Sequence, residues 1–262
     1  MNVGRLQVLP ITDGIAKMPV DDVLRYRGTI ANPLAAHQAF LGEGGTLDMA
    51  MGGFLVRIGE RTVVVDAGLG PISRPPFFGG AFLESLSALG VAPDDVTDLV
   101  FTHLHFDHVG WATQQGRIVF KNATPRCHRA DWAHFVDGDD PRAADKLRPL
   151  ADRMEFWEND STLFPGFDVQ GAPGHTPGST IMVVSDGGEK ALLLGDVVHC
   201  PIELVEDDWE AVFDVDPALA RRTREALARE LEGTDVPVAA AHFPNLQFGR
   251  LLRGDSRRSW VY

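Results

Sequence analysis

Apolar residues crowd the stretch FLVRIGERTVVVDAG, Phe54 to Gly68, on both sides of a polar Gly59-Glu60 pair. That pattern predicts two strands around a tight turn, the second a β-branched run ending at Asp66. Residues 80–90 place Phe82, Leu86 and Leu89 on one face, the spacing of a short amphipathic helix, and Gly90 suits its C-terminal cap. VTDLVFT, Val96 to Thr102, predicts a buried strand that runs directly into HLHFDHVG, and another strand is expected at Arg117–Phe120. The charged, proline-interrupted stretch 139–162 reads as helix and loop inserted between two halves, over the site. The second half opens with FDVQGAPGHTPGST, a strand into a glycine-rich turn. Two strands follow around Asp186-Gly187-Gly188, and an apolar strand leads into Gly195-Asp196.

DPALARRTREALARELEG carries the clearest helical signal. Asp216 can cap it, Pro217 suits its first turn, and Gly233 stops it. Leu219, Thr223, Leu227 and Leu231, with Ala226 beside them, form the expected buried face. VPVAAAHF, Val236 to Phe243, predicts a strand that delivers His242. Each half mixes strands with helix, which implies an α/β domain of two packed sheets under outer helices, spanning residues 1–262 as one unit.

Composition narrows the function. With 44% apolar and 23% charged residues the chain has the make-up of a globular protein. A formal charge of −13 with no concentrated basic footprint argues against nucleic acid as partner. Arg221, Arg222 and Arg224 form the densest basic cluster, but Glu225 and Glu230 share their helix, so they read as a mixed, solvated face. Two cysteines, Cys127 and Cys200, require no disulfide scaffold. The N-terminus shows no secretory pattern, and no apolar run approaches the roughly 20 residues that cross a bilayer. A cytoplasmic protein with no membrane partner is therefore expected.

The candidate chemistry lies just past strand ends. His103, His105, Asp107 and His108 fall within HLHFDH, and imidazole nitrogens and carboxylate oxygens are donors that zinc and similar ions accept. In a regular strand His103, His105 and Asp107 share one face and His108 the other, so the motif can divide between two ions. His175 lies in GAPGHTPGS, Asp196 follows ALLLG, and His242 follows VPVAAA. Each taken singly is equally explained as a structural polar residue; with HLHFDH they form a candidate ligand set.

These stretches resemble the metallo-β-lactamase-fold hydrolases. VVVDAG, THLHFDHVG, APGHTPGS, LLLGD and AAHF occur in the family's order and cover most of the chain. The resemblance implies an αβ/βα sandwich with two central mixed sheets and outer helices. It implies two divalent ions, zinc by preference: His103, His105 and His175 would bind the first, Asp107, His108 and His242 the second, and Asp196 would bridge them. Asp66 would brace the metal loop, unless it is an ordinary strand-end cap. A homodimer is also implied.

Two adjacent divalent ions acidify water and polarise an electrophile, so the implied reaction is hydrolysis of an ester-like bond. Asp107 would orient the nucleophile and accept a proton. Lactonases of the family often carry a tyrosine three residues beyond the bridging aspartate; here His199 stands there, as in the organophosphate-hydrolase branch. It would donate to a substrate oxygen or leaving group, or be a supporting or surface histidine. Cys200 has no partner base to make it a nucleophile. Phe77, Phe78, Trp111, Phe156, Trp157 and Trp209 are candidates for an apolar pocket wall, although core packing explains any one of them as well. By resemblance the expected substrate is a lactone of the N-acyl homoserine type, with a phosphotriester or aryl ester as runner-up. Glutathione thioesters are disfavoured, because no basic cluster suits their carboxylates. The non-enzymatic alternative is a metal-stabilised protein that binds a partner.

Overall fold

Alternate residues of the run Val63-Val64-Val65 decide the layering. Val63 and Val65 enter a core between two sheets, whereas Val64 enters a second core beneath helices. Leu55 and Leu99 follow Val64, and Phe54, Val56 and Val100 follow Val63, as the two-residue period of a strand requires. The computed structural model describes residues 1–254 and 257–262.

The first sheet contains β1 (Leu6–Pro19), β2 (Thr46–Ile58), β3 (Arg61–Val65), β4 (Asp98–Val100), β5 (Thr124–His128) and β6 (Glu155–Trp157). Their spatial order is β6-β5-β4-β3-β2-β1, antiparallel from β1 to β3 and parallel from β3 to β6. A hairpin of Ser73–Arg74 and Phe77–Phe78 extends the sheet beyond β1. The second sheet runs in chain order through β7 (Ser161–Phe164), β8 (Phe167–Gly171), β9 (Thr180–Asp186), β10 (Glu189–Leu193) and β11 (Val238–Ala239). Only its last pair is parallel.

Three main helices cover the outer faces. Phe82 and Leu86 of α1 (Phe82–Ala88) and Ala143 and Leu147 of α2 (Pro141–Leu147) pack on the first sheet. Leu227, Ala228 and Leu231 of α3 (Pro217–Leu231) pack on the second. The result is the expected αβ/βα sandwich. Asp216 caps α3 by accepting from the Leu219 amide at 2.9 Å. Its buried face is Ala220, Arg224, Leu227, Ala228 and Leu231. Ala226, expected beside that face, is exposed instead, because the face is centred on the buried Arg224.

Within 139–162 lie α2, a 3-10 turn at Arg148–Arg153, β6 and the start of β7. The expected strands at 96–102 and 236–243 are shorter than their apolar runs, spanning Asp98–Val100 and Val238–Ala239. Beyond those points the chain leaves the ladder to turn Thr102, His103 and His242 inward. At 117–120 only Arg117–Ile118 pairs, with Thr113–Gln114. β1 was not foreseen from the pattern. Pro10, Pro19 and a register shift between Thr12 and Gly14 break its alternation, so its buried residues Leu6, Val8, Ile11, Asp13 and Ala16 keep no single period. No helix among the described residues is long and apolar enough to cross a membrane.

Candidate metal centre

The loops that leave these strands converge at one edge of the sandwich. The chain departs from β4 into HLHFDH, from β8 into the His175 loop, from β10 into Gly195-Asp196 and from β11 to His242. Gly110 closes the first loop against the backbone of Leu69, where a Cβ would stand 2.1 Å from the Leu69 carbonyl carbon, so no other residue fits. All seven residues expected to hold metal meet there, in two adjoining groups: His103, His105, His175 and Asp196, and Asp107, His108 and His242. Within each group the ligand-type atoms lie inside 4.8 Å of one another.

Asp196 stands between the groups. Its Oδ1 lies 3.2 Å from His108 Nε2, while Oδ2 lies 3.0 Å from His242 Nε2, 3.6 Å from His175 Nε2 and 3.7 Å from His103 Nε2. Asp107 Oδ2 is 3.6 Å from His242 Nε2. His105 Nδ1 faces His175 Nε2 at 2.9 Å and His103 Nε2 at 3.1 Å.

The far nitrogens of these rings are held by the fold. His242 Nδ1–H donates to the Ala50 carbonyl at 2.9 Å, which leaves Nε2 with its lone pair facing the cluster. His108 Nδ1–H donates to Asp66 at 2.9 Å and His175 Nδ1–H to Asp214 at 3.1 Å. Asp66 also accepts from the Thr102 amide and hydroxyl, at 2.8 and 2.7 Å, and that hydroxyl lies 3.1 Å from His103 Nδ1. A φ of 58° at Asp66, left-handed for a residue with a side chain, turns its carboxylate into this position. Orientation of imidazole by a carboxylate or carbonyl is what metal-binding histidines need.

The residues present fit a divalent cation. His108 Nε2 and Asp196 Oδ1 are buried without hydrogen-bond partners among the described residues, and a cation beside them would satisfy both. Burial lowers the pKa of His103, of His175 and of His105, the last to about 2, with neighbouring imidazoles adding to the effect at His103 and His105. All three are therefore neutral, the form that ligates. Burial opposes the charge of His108, but Asp196 and Asp66 outweigh it and raise its pKa well above the usual value.

His199 is buried, not at the surface, with Nε2 3.5 Å from Asp196 Oδ2. Burial disfavours its charge, yet the nearby Glu203 and Asp196 carboxylates lift its pKa to about 9. Glu203 accepts from the His199 and Cys200 amides at 2.6 and 3.1 Å. Beneath both carboxylates lies Arg224, only 2% exposed, with Nη2 2.9 Å from Asp214 and Nε 3.5 Å from Glu203. The solvated-face reading of Arg224 thus fails, since one buried guanidinium sits on the carboxylates beside His175 and His199.

Asp131 joins two of the loops that carry the clustered residues, accepting from the Leu104 amide at 3.0 Å and the Thr176 hydroxyl at 3.0 Å, and from Gly178 N at 2.6 Å. Sequence reading missed Asp214, Glu203 and Asp131, which belong to no motif. Cys200 is buried and its thiol is pushed up to about 12, so it stays protonated.

A cavity of about 750 Å³ opens over the cluster, bordered by Met18, Met49, Leu69, Ile72, Phe77 and Phe106. His105, Asp107, Asp196, His199 and His242 form its floor. Of the aromatics expected to wall it, Phe77 does so. Trp111, Trp157 and Trp209 are buried in the cores, Phe156 packs on Trp132, and Phe78 is not among the lining residues. Phe106 and Phe213 take part instead, from loops whose direction the pattern did not reveal.

Sandwich and cluster together define a metal-dependent hydrolase. Residues 53–242 match the family model of the Metallo-beta-lactamase superfamily, and the chain belongs to that superfamily. Metallo-beta-lactamase domain-containing protein 1 of Mus musculus is 30% identical over 241 residues, covering 90% of this chain and 82% of its own. An N-acyl homoserine lactonase of Bacillus sp is 25% identical over 207 residues, 71% of this chain and 80% of its own. Among solved structures, AidC, a dizinc quorum-quenching lactonase in complex with a product N-hexnoyl-L-homoserine, superposes with a TM-score of 0.86. It is 24% identical and is matched over 100% of this chain and 95% of that one.

Proposed function

We propose that the chain opens lactones, by preference of the N-acyl homoserine type, with a pair of zinc ions held by the seven clustered residues. His103, His105 and His175 would hold one ion, Asp107, His108 and His242 the other, and Asp196 both. The observation that carries this reading is the largely apolar cavity standing directly over those donors, with room for an acyl chain. The lactonase among its relatives supports the same substrate class. Bound divalent ions would supply an acidified water and a Lewis acid for the electrophile.

The chain's own groups do the rest. Asp107, partly exposed at the cavity floor, orients the attacking water and takes up a proton. His199 lines the same floor and is placed to donate to a substrate oxygen or leaving group. Met18, Met49 and Phe77 exclude water from the acyl side. The position of His199, where the resemblance sets a tyrosine in many lactonases, favours a phosphotriester or aryl ester as the second reading.

A pH-indicator assay of zinc-reconstituted protein on lactones of graded acyl length, phosphotriesters and aryl esters tests the assignment. Lactone turnover that rises with acyl length supports it. Negligible lactone turnover beside rapid phosphotriester cleavage would replace the substrate and leave the metal chemistry standing.

A further inference from the structure

The cavity wall carries positive charge that the chain's composition gives no reason to expect. The protein has a formal charge of −13, yet Arg74, Arg142 and Lys146 border the cavity, and its carboxylates, Asp107 and Asp196, both belong to the metal cluster. Arg142 and Lys146 are four residues apart on α2, so they stand one turn apart on the same side of that helix. Arg74 comes from the opposite hairpin. The absence of a basic cluster in the sequence is corrected here: the fold assembles one from segments far apart in the chain.

Lys146 is the informative member. Its half-buried ammonium donates to the carbonyls of Gly110 at 2.9 Å and Thr113 at 3.1 Å, and no carboxylate lies within ion-pair distance among the described residues. Two neutral acceptors leave one N–H and the whole charge uncompensated. Burial accordingly lowers its pKa. Arg142 spends Nε and Nη2 on Asp140, at 3.2 and 2.9 Å, and its guanidinium lies 5.8 Å from the centroid of Phe106, which lines the same cavity. Arg74 is exposed at the rim. Leu69, Ile72, Phe77 and Phe106 give the same cavity an apolar lining.

We propose that Lys146 and Arg142, with Arg74 at the rim, form an anion subsite, so that the preferred ester or lactone carries a carboxylate linked to it through an apolar spacer. This refines the substrate class and rests on the hydrolase reading above. A cation in a low-dielectric cleft focuses the field on an entering anion, and a desolvated carboxylate would supply the charge that Lys146 lacks.

Calorimetric binding of matched unbranched carboxylates to the zinc-loaded protein tests the subsite. Monocarboxylates and α,ω-dicarboxylates of equal chain length are compared, one end serving the metals and the other the cations. One dicarboxylate length should bind at least about tenfold more tightly than its monocarboxylate. In the Arg142→Gln/Lys146→Met protein that advantage should shrink to within about twofold. Because Lys146 also ties two loop carbonyls, Arg74→Gln/Arg142→Gln, altered only at exposed positions, is run beside it and should lose part of the advantage. A dicarboxylate advantage at no length, or one that survives in both variants, overturns the subsite while monocarboxylate binding keeps the hydrolase reading intact. Absence of zinc-dependent binding by either series overturns both.

Discussion

Arg224 holds its place because two buried carboxylates surround it. Its replacement by methionine keeps the length and removes the charge, leaving Asp214 and Glu203 without the buried counter-charge between them, a loss of about 3–5 kcal/mol for a broken buried pair. The consequence reaches the metal cluster, because Asp214 fixes Nδ1 of His175. Arg224→Met should therefore lower zinc affinity about 10- to 100-fold, the usual effect of removing a group that orients a ligand. Urea melts and chelator competition measure the two effects; unchanged values of both would show that Arg224 is a passive filler.

The histidines also make a pH statement. His103, His105 and His175 have pKa values in the fold below the unfolded value of about 6.5, so their contribution is present above that pH and is lost as pH falls. Asp131, raised by burial to about 6, opposes this between about pH 6 and 4. His108 and His199, whose pKa values are raised, oppose it near pH 6.5 but no longer once the unfolded imidazoles are protonated too, so the three lowered histidines prevail towards pH 5. Metal-free protein should thus lose stability from pH 6.5 to 5, read as a falling urea midpoint. A midpoint that rises over that range contradicts the assignment.

The seven clustered residues were legible because polar groups stood just past apolar runs, where solvation does not explain them. Arg224 was not, since a helical arginine among glutamates looks the same whether its face is wet or buried.

At the scale of elements, capping and loop bracing set the geometry. Asp216 begins α3, the helix that carries Arg224, and Asp216→Ala should cost about 1 kcal/mol in denaturant melts with no change in zinc content. A helix start placed elsewhere would leave stability untouched. Asp13 does comparable work for the cavity wall. From the irregular part of β1 it accepts from the amides of Gly70, Gly80 and Phe82 at 2.9, 2.8 and 3.0 Å and from Trp111 Nε1 at 3.1 Å. These contacts pin both ends of the hairpin that presents Ile72 and Phe77.

Asp13→Ala strands buried donors, each worth about 1–3 kcal/mol, and should raise KM for long-chain esters more than it lowers kcat. Equal loss in kcat with KM unchanged would argue against a role in the wall. Strands flanking the motifs and α3 were readable from period and caps. β1 was hidden by its prolines and register shift, and the cavity wall depends on loop directions that hydrophobic pattern does not encode.

For the whole molecule, two mixed sheets supply a rigid edge at which loops from both halves meet, so the cluster links the halves of the sandwich. Layering was legible because each half mixes strands with helix, and Val63-Val64-Val65 realises it by sending alternate residues into different cores. The assembly of Arg74 with α2 was not legible, because it arises only when distant segments fold onto one cavity. Metal that binds the folded chain alone must stabilise it, by about 2.7 kcal/mol at a free concentration of one hundred times Kd. Chelation should accordingly lower the melting temperature, and zinc should restore it. The most direct test of the account is the zinc content of purified, zinc-reconstituted protein, measured by mass spectrometry beside the Asp196→Asn variant. The account predicts about two ions per chain in the parent protein and a clear loss in the variant, with hydrolysis lost in step. Undiminished hydrolysis at one ion per chain or fewer would contradict it.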